Sequence, residues 1–397
     1  MKYKRIFVIV MDSLGVGEMP DASRFHDQGS NTLKHIIEKA GPINAPTLEK
    51  LGIGDFVDIG FKKVNHPNSY TCILKETSNG KDTMTGHWEM MGINTKKPFK
   101  TFFDNGFPKE LIDELEKQTG RKVIGNYAAS GTEIIKVLGE EHIKDGSLIV
   151  YTSSDSVLQI AANEAIIPVE ELYKICEIAR KITLKDEWKV GRIIARPFIG
   201  DKADSFVRTK NRHDYALSPS SKTYLDYIQL SGLDVISVGK IFDIFNGQGL
   251  NESNRIKSNH NGMEITTEFA KNRDFKGLCF VNLVDFDSEY GHRRNIVGYK
   301  DSLEEFDKDL GLLIKELKDD DLLIITADHG NDPTATGTDH TREQVPAIFY
   351  SKSFKVGKYN GESNTFASLG STIVKLLNVD INKQNELLFD DLSEKLI

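Results

Sequence analysis

Cysteine is scarce in this chain. Cys72, Cys176 and Cys279 are the three present in 397 residues; they are widely separated, form no CxxC pair, and each lies in an apolar-patterned segment. This pattern excludes a disulfide framework and a thiolate metal finger, and points to reduced core thiols and a cytoplasmic location. Long apolar runs are missing too: none approaches the roughly 20 residues that a membrane span requires, so no membrane partner is expected. The amino-terminal MKYKRIFVIVMDS holds a short apolar run but stops at Asp12 without a small-residue cleavage site, and reads as a first strand, not a signal peptide. No Lys/Arg cluster is long enough to track a phosphodiester backbone, and the net charge of −8 also argues against nucleic acid. An anionic ligand would have to be held by local Arg, Lys or metal charge.

What is present is the composition of an ordinary globular protein, 39% hydrophobic and 28% charged. Over this length that is more than one simple core needs, so two domains are expected. Segment 6–11 is a continuous apolar run suited to a central parallel strand. Gly15 and Gly17 follow it, but Pro20 stands where a dinucleotide-binding fingerprint wants its last glycine, so that reading is rejected. Helices are expected over 32–40 and from 46 to Gly52, a strand over 69–75, then a polar loop over 78–92 running into a short helix, with Thr83 at its centre. From about residue 102 the pattern changes to short strands over 122–126, 147–153, 157–162 and 189–198, with helices over 108–119 and 169–182. The Ser/Pro/Lys-rich ALSPSSK closes this stretch. Strands over 234–238, 277–284, 322–326 and 346–351 then alternate with helices over 263–272, 300–318 and 365–377, which calls for a mostly parallel sheet flanked by helices. The expected class is α/β, with residues 1–101 and 218–397 forming a discontinuous core and residues 102–217 an inserted α+β domain.

Three apolar runs end alike: IFVIVMD at Asp12, CFVNLVDFD at Asp285 and Asp287, and LLIITADH at Asp328 and His329. Parallel strands bring their carboxyl ends to one sheet edge, so these carboxylates gather there. Crowded carboxylates repel unless a cation lies between them. His292, in DSEYGHRR, and His340, in the loop NDPTATGTDHTR, add imidazoles. Asp12, Asp287, Asp328, His292, His329 and His340 are more donors than one ion needs and suit two divalent cations about 4 Å apart, as in two-metal phosphoryl-transfer sites. Thr83 in KDTMTGHWE is a candidate nucleophile, since a metal-bound hydroxyl loses its proton more readily. Thr85, Ser78 and Ser13 are rivals that spacing leaves open, and a helix-capping role for Thr83 is the plain alternative.

In that order, MDS, KDTMTGHWE, NLVDFD…GHRR and ITADHGNDP…GTDHTRE resemble the phosphopentomutase family of the alkaline phosphatase superfamily. The segments ASGTEI, IVYTSSDSVLQIAA, VGRIIARPF and RTKNRHDYAL resemble that family's cap domain, so the similarity spans nearly the whole chain. The resemblance implies an alkaline-phosphatase-like core with a substrate-contacting cap. It further implies one Mn²⁺ held by Asp287, His292 and His340, and a second held by Asp12, Asp328 and His329, with loop 330–339 spanning the two. Zn²⁺ or Mg²⁺ is compatible with the same donors. Thr83 would be the phosphorylated residue, and Asp155, Arg192, Arg208 and Lys240 the contacts to a pentose phosphate. Arginines grip a phosphate dianion bidentately and Asp155 accepts from a sugar hydroxyl. The implied reaction interconverts ribose 1-phosphate and ribose 5-phosphate, and the 2-deoxyribose pair, through a 1,5-bisphosphate that also primes the enzyme. A phosphatase, phosphodiesterase or sulfatase of the same superfamily is the rival within catalysis, and a non-catalytic sugar-phosphate sensor the rival outside it. No obligatory protein partner is evident.

Overall fold

Apolar runs that stop abruptly at acidic residues become the central strands of a large sheet. A computed structural model describes residues 2–153, 155–381 and 392. It divides the chain into two compact units, Met1–Pro98 with Pro219–Ile397, and Phe99–Ser218. The first border therefore falls before residue 99 and not at 101/102. Among the described residues the strands are β1 (Arg5–Met11) and β2 (Ser69–Leu74), followed in the insertion by β3 (Val123–Ala128), β4 (Leu148–Thr152), β5 (Val157–Asn163), β6 (Arg192–Ile199), β7 (Val207–Arg208) and β8 (His213–Ala216). The remainder supplies β9 (Asp234–Gly239), β10 (Glu252–Asn254), β11 (Gly277–Leu283), β12 (Asp321–Thr326), β13 (Val345–Tyr350) and β14 (Lys358–Ser363).

The discontinuous unit is a sheet of order β10-β9-β11-β1-β12-β13-β2-β14. It is parallel from β10 through β12; β13 runs antiparallel to both β12 and β2, and β14 is again parallel to β2. Every residue of β1, β11 and β12 is buried, as expected of strands covered on both faces, which read as unbroken apolar runs. Each fully buried Val, Ile or Leu contributes about 1.5–3 kcal/mol, and these strands hold the edge rigidly. In register, Met11 faces Leu283 and Val10 faces Thr326, so the residues after the three strands emerge side by side.

The flanking helices begin earlier than apolar periodicity suggests, because their first turns are polar and capped. Ser258 accepts from the Asn261 amide to start Asn259–Asn272, and Asn295 accepts from the Gly298 amide to start Ile296–Glu316.

The inserted unit is a mixed sheet of order β3-β4-β5-β6-β7, with β8 beside β6. Helices Lys109–Thr119 and Val169–Ile182 cover one face, around Leu148, Leu158, Ile160, Ile193 and Ala195. Helix Gly131–Asp145 covers part of the other through Ile134 and Ile135, which pack with Ile149, Phe198 and Phe206. That helix was not foreseen, since Gly139 interrupts its pattern at a cost of about 1 kcal/mol. A Cβ at Gly139 would fall 2.4 Å from the Phe206 ring, so close packing requires the glycine. The three cysteines are buried thiols. Among the described residues, no helix is long and apolar enough to cross a membrane.

Candidate metal centre

The turn that follows β1 sets the first carboxylate. Asp12 is fully buried, and the next residue, Ser13, sits at φ 77°, a left-handed conformation that costs a non-glycine residue of order 1–3 kcal/mol. The turn aims the Ser13 amide at Asp328 Oδ1, 3.0 Å away, and so ties the end of β1 to the end of β12. Asp12 Oδ2 accepts from Asn282 Nδ2 at 2.7 Å. The other two oxygens, Asp12 Oδ1 and Asp328 Oδ2, are buried without a hydrogen bond. They lie 3.3 and 3.4 Å from His329 Nε2.

The histidines are aimed from behind. His329 Nδ1 lies 2.9 Å from Gly330 O, and His292 Nδ1 lies 2.6 Å from Thr338 O. A carbonyl can only accept, so each Nδ1 donates and each Nε2 is left to face the cluster, the arrangement typical of metal-ligating imidazoles. Asp287, in the single π-helical turn Phe286–Gly291 after β11, lies 3.2 Å from His292 Nε2 through Oδ2 and 3.4 Å from His340 Nε2 through Oδ1. The two Nε2 atoms of His292 and His340 approach to 3.0 Å. Two trios converge with one donor atom from each residue inside 4.8 Å, Asp12/Asp328/His329 and Asp287/His329/His340. All six expected ligands are thus brought together, with His329 adjacent to both groups.

The electrostatics suit a cation. Burial raises the Asp12 carboxyl, and Asp328 raises it further. Burial opposes ionisation of Asp328 as well, but His329 and His87 hold that carboxyl below its usual range. For His329, burial disfavours the charged ring, yet Asp328 and Asp12 raise it well above the ordinary histidine range. Asp287 is held well below the usual carboxylate range against its burial, by His340 and His292. The cluster therefore demands positive charge beside His329 Nε2, which a proton or a divalent ion can supply. Orphaned carboxylate oxygens beside ring nitrogens that can give up a proton to an entering cation are a donor set that divalent transition metals accept.

Thr83 is not in the centre of a loop. It is the first residue of helix Thr83–Met90, and Asp82 caps that helix by accepting from the Thr85 amide. The capping alternative for Thr83 is therefore taken by its neighbour. The four candidate hydroxyls separate cleanly. Thr85 Oγ1 donates to Asp82 at 2.5 Å, Ser78 Oγ accepts from the Thr95 amide at 3.0 Å, and Ser13 Oγ faces Tyr299 at 3.1 Å. Thr83 Oγ1 alone of the four faces the cluster, 3.2 Å from His329 Nε2.

Of the remaining expected residues, Lys240 belongs to the discontinuous unit and Asp155, Arg192 and Arg208 to the inserted one. Lys240 follows β9, next to β11, at the strand-end edge that carries the cluster. In the inserted unit, Arg192 pairs with Asp155 at 3.2 Å and lies 3.7 Å from Asp214. Arg208 is opposite Phe198, six residues along β6 from Arg192, or about 20 Å by strand rise. There it lines a cavity of about 470 Å³ with Arg196 and Arg212. Arg192 thus begins β6, and Arg208, on β7, pairs beside its other end.

Several supporting residues escaped the sequence reading. His87 Nδ1 contacts Thr83 O at 2.8 Å and Asp328 Oδ2 at 3.1 Å, while its Nε2 lies 3.3 Å from Asn282 Nδ2. Asn282 was detectable as the one polar residue inside the run FVNLV. Gly86 lets the threonine helix approach β12, for a Cβ there would fall 2.1 Å from Asp328 O. Asp285, grouped with the strand-end acids, instead accepts from the Asn259 amide at 2.7 Å and steadies a helix start.

Residues 4–381 match the model of the Metalloenzyme superfamily. A phosphopentomutase of Agathobacter rectalis is 61% identical over 373 residues, 94% of each chain. One of Clostridium botulinum is 55% identical over 397 residues, all of both chains. Among solved structures, a protein of Pyrococcus horikoshii superposes with a TM-score of 0.50 at 12% identity, covering 96% of this chain and 99% of its own, a likeness of fold. The core is a mixed α/β sheet flanked by helices, and the family match together with the carboxylate–histidine cluster supports metal dependence. The chain belongs to the phosphopentomutase family of the metalloenzyme superfamily, and is an intramolecular phosphotransferase of the isomerase class.

Proposed function

We propose that this protein interconverts ribose 1-phosphate and ribose 5-phosphate, and the 2-deoxyribose pair, with Thr83 as the phosphoryl carrier. Two Mn²⁺ ions are assigned to the cluster, one with Asp12, Asp328 and His329 and the other with Asp287, His292 and His340. When bound, they supply charge neutralisation for the phosphoryl group and lower the proton affinity of the Thr83 hydroxyl. Phospho-Thr83 gives its phosphoryl group to the free hydroxyl of the sugar monophosphate: the Thr83 Oγ–P bond breaks, a sugar O–P bond forms, and the proton of the sugar hydroxyl passes in net to the Thr83 oxygen. The resulting 1,5-bisphosphate returns its other phosphoryl to Thr83, so no net water or nucleotide is consumed. A 1,5-bisphosphate primes the cycle.

The observation that carries this reading is the position of Thr83 Oγ1, 3.2 Å from the His329 nitrogen that both ligand groups approach. Its place at the first position of a helix adds the partial positive charge of a helix amino end, which favours a phosphoryl anion. His87 holds the Thr83 carbonyl and so orients the nucleophile's backbone. The reading assigns Asp155, Arg192, Arg208 and Lys240 to the pentose phosphate, with the arginines and Lys240 meeting phosphate charge and Asp155 a sugar hydroxyl. The test is a coupled assay of ribose 1-phosphate conversion with Mn²⁺ and a bisphosphate primer, run beside a free-phosphate assay. Ribose 5-phosphate without stoichiometric phosphate release is expected; phosphate release without isomerised sugar would make the chain a hydrolase.

A further inference from the structure

Arg294, the last residue of the GHRR motif, is half-buried and makes five hydrogen bonds around the ligand-bearing loop. Its Nε donates to Gly337 O at 2.7 Å and its Nη2 to Asp339 O at 2.9 Å. Its Nη1 donates to Gly291 O at 3.0 Å, to Asp332 O at 3.1 Å and to Asn331 Oδ1 at 2.5 Å. The two carbonyls gripped by Nε and Nη2 flank Thr338, whose own carbonyl accepts from His292 Nδ1 at 2.6 Å. Asp339 immediately precedes His340. A guanidinium has only donors, so it fixes the Asn331 amide with its oxygen inward and leaves Nδ2 to donate to Asp287 Oδ1, at 2.8 Å. One planar side chain is thereby connected to Asp287 through Asn331, to His292 through Thr338, and to His340 through Asp339. Arg294 itself bonds none of Asp12, Asp328 and His329 among the described residues; toward that side the Asn331 amide donates to Ser13 O at 3.1 Å, a backbone bond that the guanidinium does not make.

We infer that Arg294 is the positioning residue of one cation subsite, holding loop 330–340 so that Asp287, His292 and His340 converge, while Asp12 and Asp328 of the other trio are set by the ends of β1 and β12. The inference rests on the two-cation reading above. Arg294 itself sits at φ 52°, a conformation glycine adopts freely, so Arg294→Gly removes the guanidinium without straining the backbone. Arg294→Lys keeps the charge but not a fork able to span these oxygens. Arg293, which pairs with Glu289 at the surface, is the control.

The test is calorimetric titration of each protein with Mn²⁺, with amide exchange of residues 331–340 read in parallel. The unsubstituted chain and Arg293→Ala bind two ions. Arg294→Gly and Arg294→Lys retain one ion at unchanged affinity and bind the other about 10–100-fold more weakly, the usual cost of losing a residue that orients metal ligands. Their loop amides exchange faster, and millimolar guanidinium restores part of the lost affinity to Arg294→Gly but not to Arg294→Lys. If Arg294→Gly does not fold, the weakened single site and faster loop exchange of Arg294→Lys carry the test. Unchanged binding, or equal weakening of both ions, overturns the inference alone. Failure of the unsubstituted chain to bind two ions overturns the two-cation reading and this inference with it.

Discussion

At the strand ends of the discontinuous unit, Asp12 and Asp328 are fully buried, and among the described residues Asp12 Oδ1 is approached only by an imidazole nitrogen of His329, and Asp328 Oδ2 only by those of His329 and His87. In the inserted unit, Asp214 is met by Arg212 at 2.7 Å and by Arg192 at 3.7 Å, and Asp155 by Arg192 at 3.2 Å. Burial alone would raise Asp214, but Arg212, Arg192 and Arg196 hold its carboxyl below the usual range. The first region is incomplete as protein: its charges balance when a cation enters. The second is already balanced by its own side chains, so an incoming anion has to exchange partners with a carboxylate. A cluster of the first kind fixes chemistry, and one of the second kind selects among substrates by a difference in affinity.

Breaking the first region should have the larger effect. Asp328→Asn removes a carboxylate that both the Ser13 amide and His87 address, and turnover should fall at least about a hundredfold with loss of one Mn²⁺ per chain by calorimetry. Normal turnover in that variant would remove Asp328 from the site. Gly86→Ala places a Cβ 2.1 Å from Asp328 O and must push the threonine helix away. Displacing the nucleophile by about 1 Å should cost roughly a hundredfold in kcat, and the melting temperature should drop as well.

The second region predicts a binding effect. Arg192→Ala should raise KM about tenfold or more and leave kcat nearly unchanged, as loss of a charged hydrogen bond made in ground and transition states alike. Arg208→Ala is the contrasting variant, since Arg208 lies on β7 beside the far end of β6. If Arg208→Ala moved KM and Arg192→Ala did not, the sugar phosphate would belong in the three-arginine cavity and not beside Asp155.

A smaller effect sharpens the contrast between uncompensated and paired charge. Glu343 is buried beneath the metal-bearing loop, where it accepts from the Thr32 amide at 2.8 Å and from the Thr32 and Thr341 hydroxyls at 2.7 and 2.6 Å. Burial outweighs these bonds and pushes its carboxyl up to about 7 from 4.5. A carboxyl raised on folding favours the native state below its unfolded pKa, and that contribution is lost as pH rises through the folded value. Stability should therefore fall between about pH 4.5 and 7 by at most about 3 kcal/mol. In Glu343→Gln this component of the slope should vanish from denaturation curves measured across that range; an unchanged slope would assign the loss to other groups.

The legible part of this molecule was the part built from strand periodicity. Unbroken runs ending in Asp12, Asp287 and Asp328 announced parallel strands and a shared edge, because burial on both faces and a common direction leave few other arrangements. The residues that aim the ligands were not legible. His87, Asn331 and Arg294 act through bonds between residues remote in sequence or through loop carbonyls, and a loop's carbonyl positions have no periodic signature; Asn282 alone left a mark, as a polar residue inside an apolar run. The start of the threonine helix was misplaced because KDTMTG carries polar residues where its first turn lies, with Asp82 as the cap. In the inserted unit, Gly139 hid a helix, and nothing in the spacing of Arg192 and Arg208 revealed that β6 separates them.

The most direct test of the central claim, that Thr83 carries the phosphoryl group between positions of the sugar, is peptide mass spectrometry of the Mn²⁺-loaded protein after incubation with ribose 1,5-bisphosphate. One phosphate on Thr83 is predicted, together with loss of mutase activity by about a thousandfold or more in Thr83→Ala. A phosphate found on Ser13, Ser78 or Thr85, or an unmodified Thr83 in an active enzyme, would contradict it.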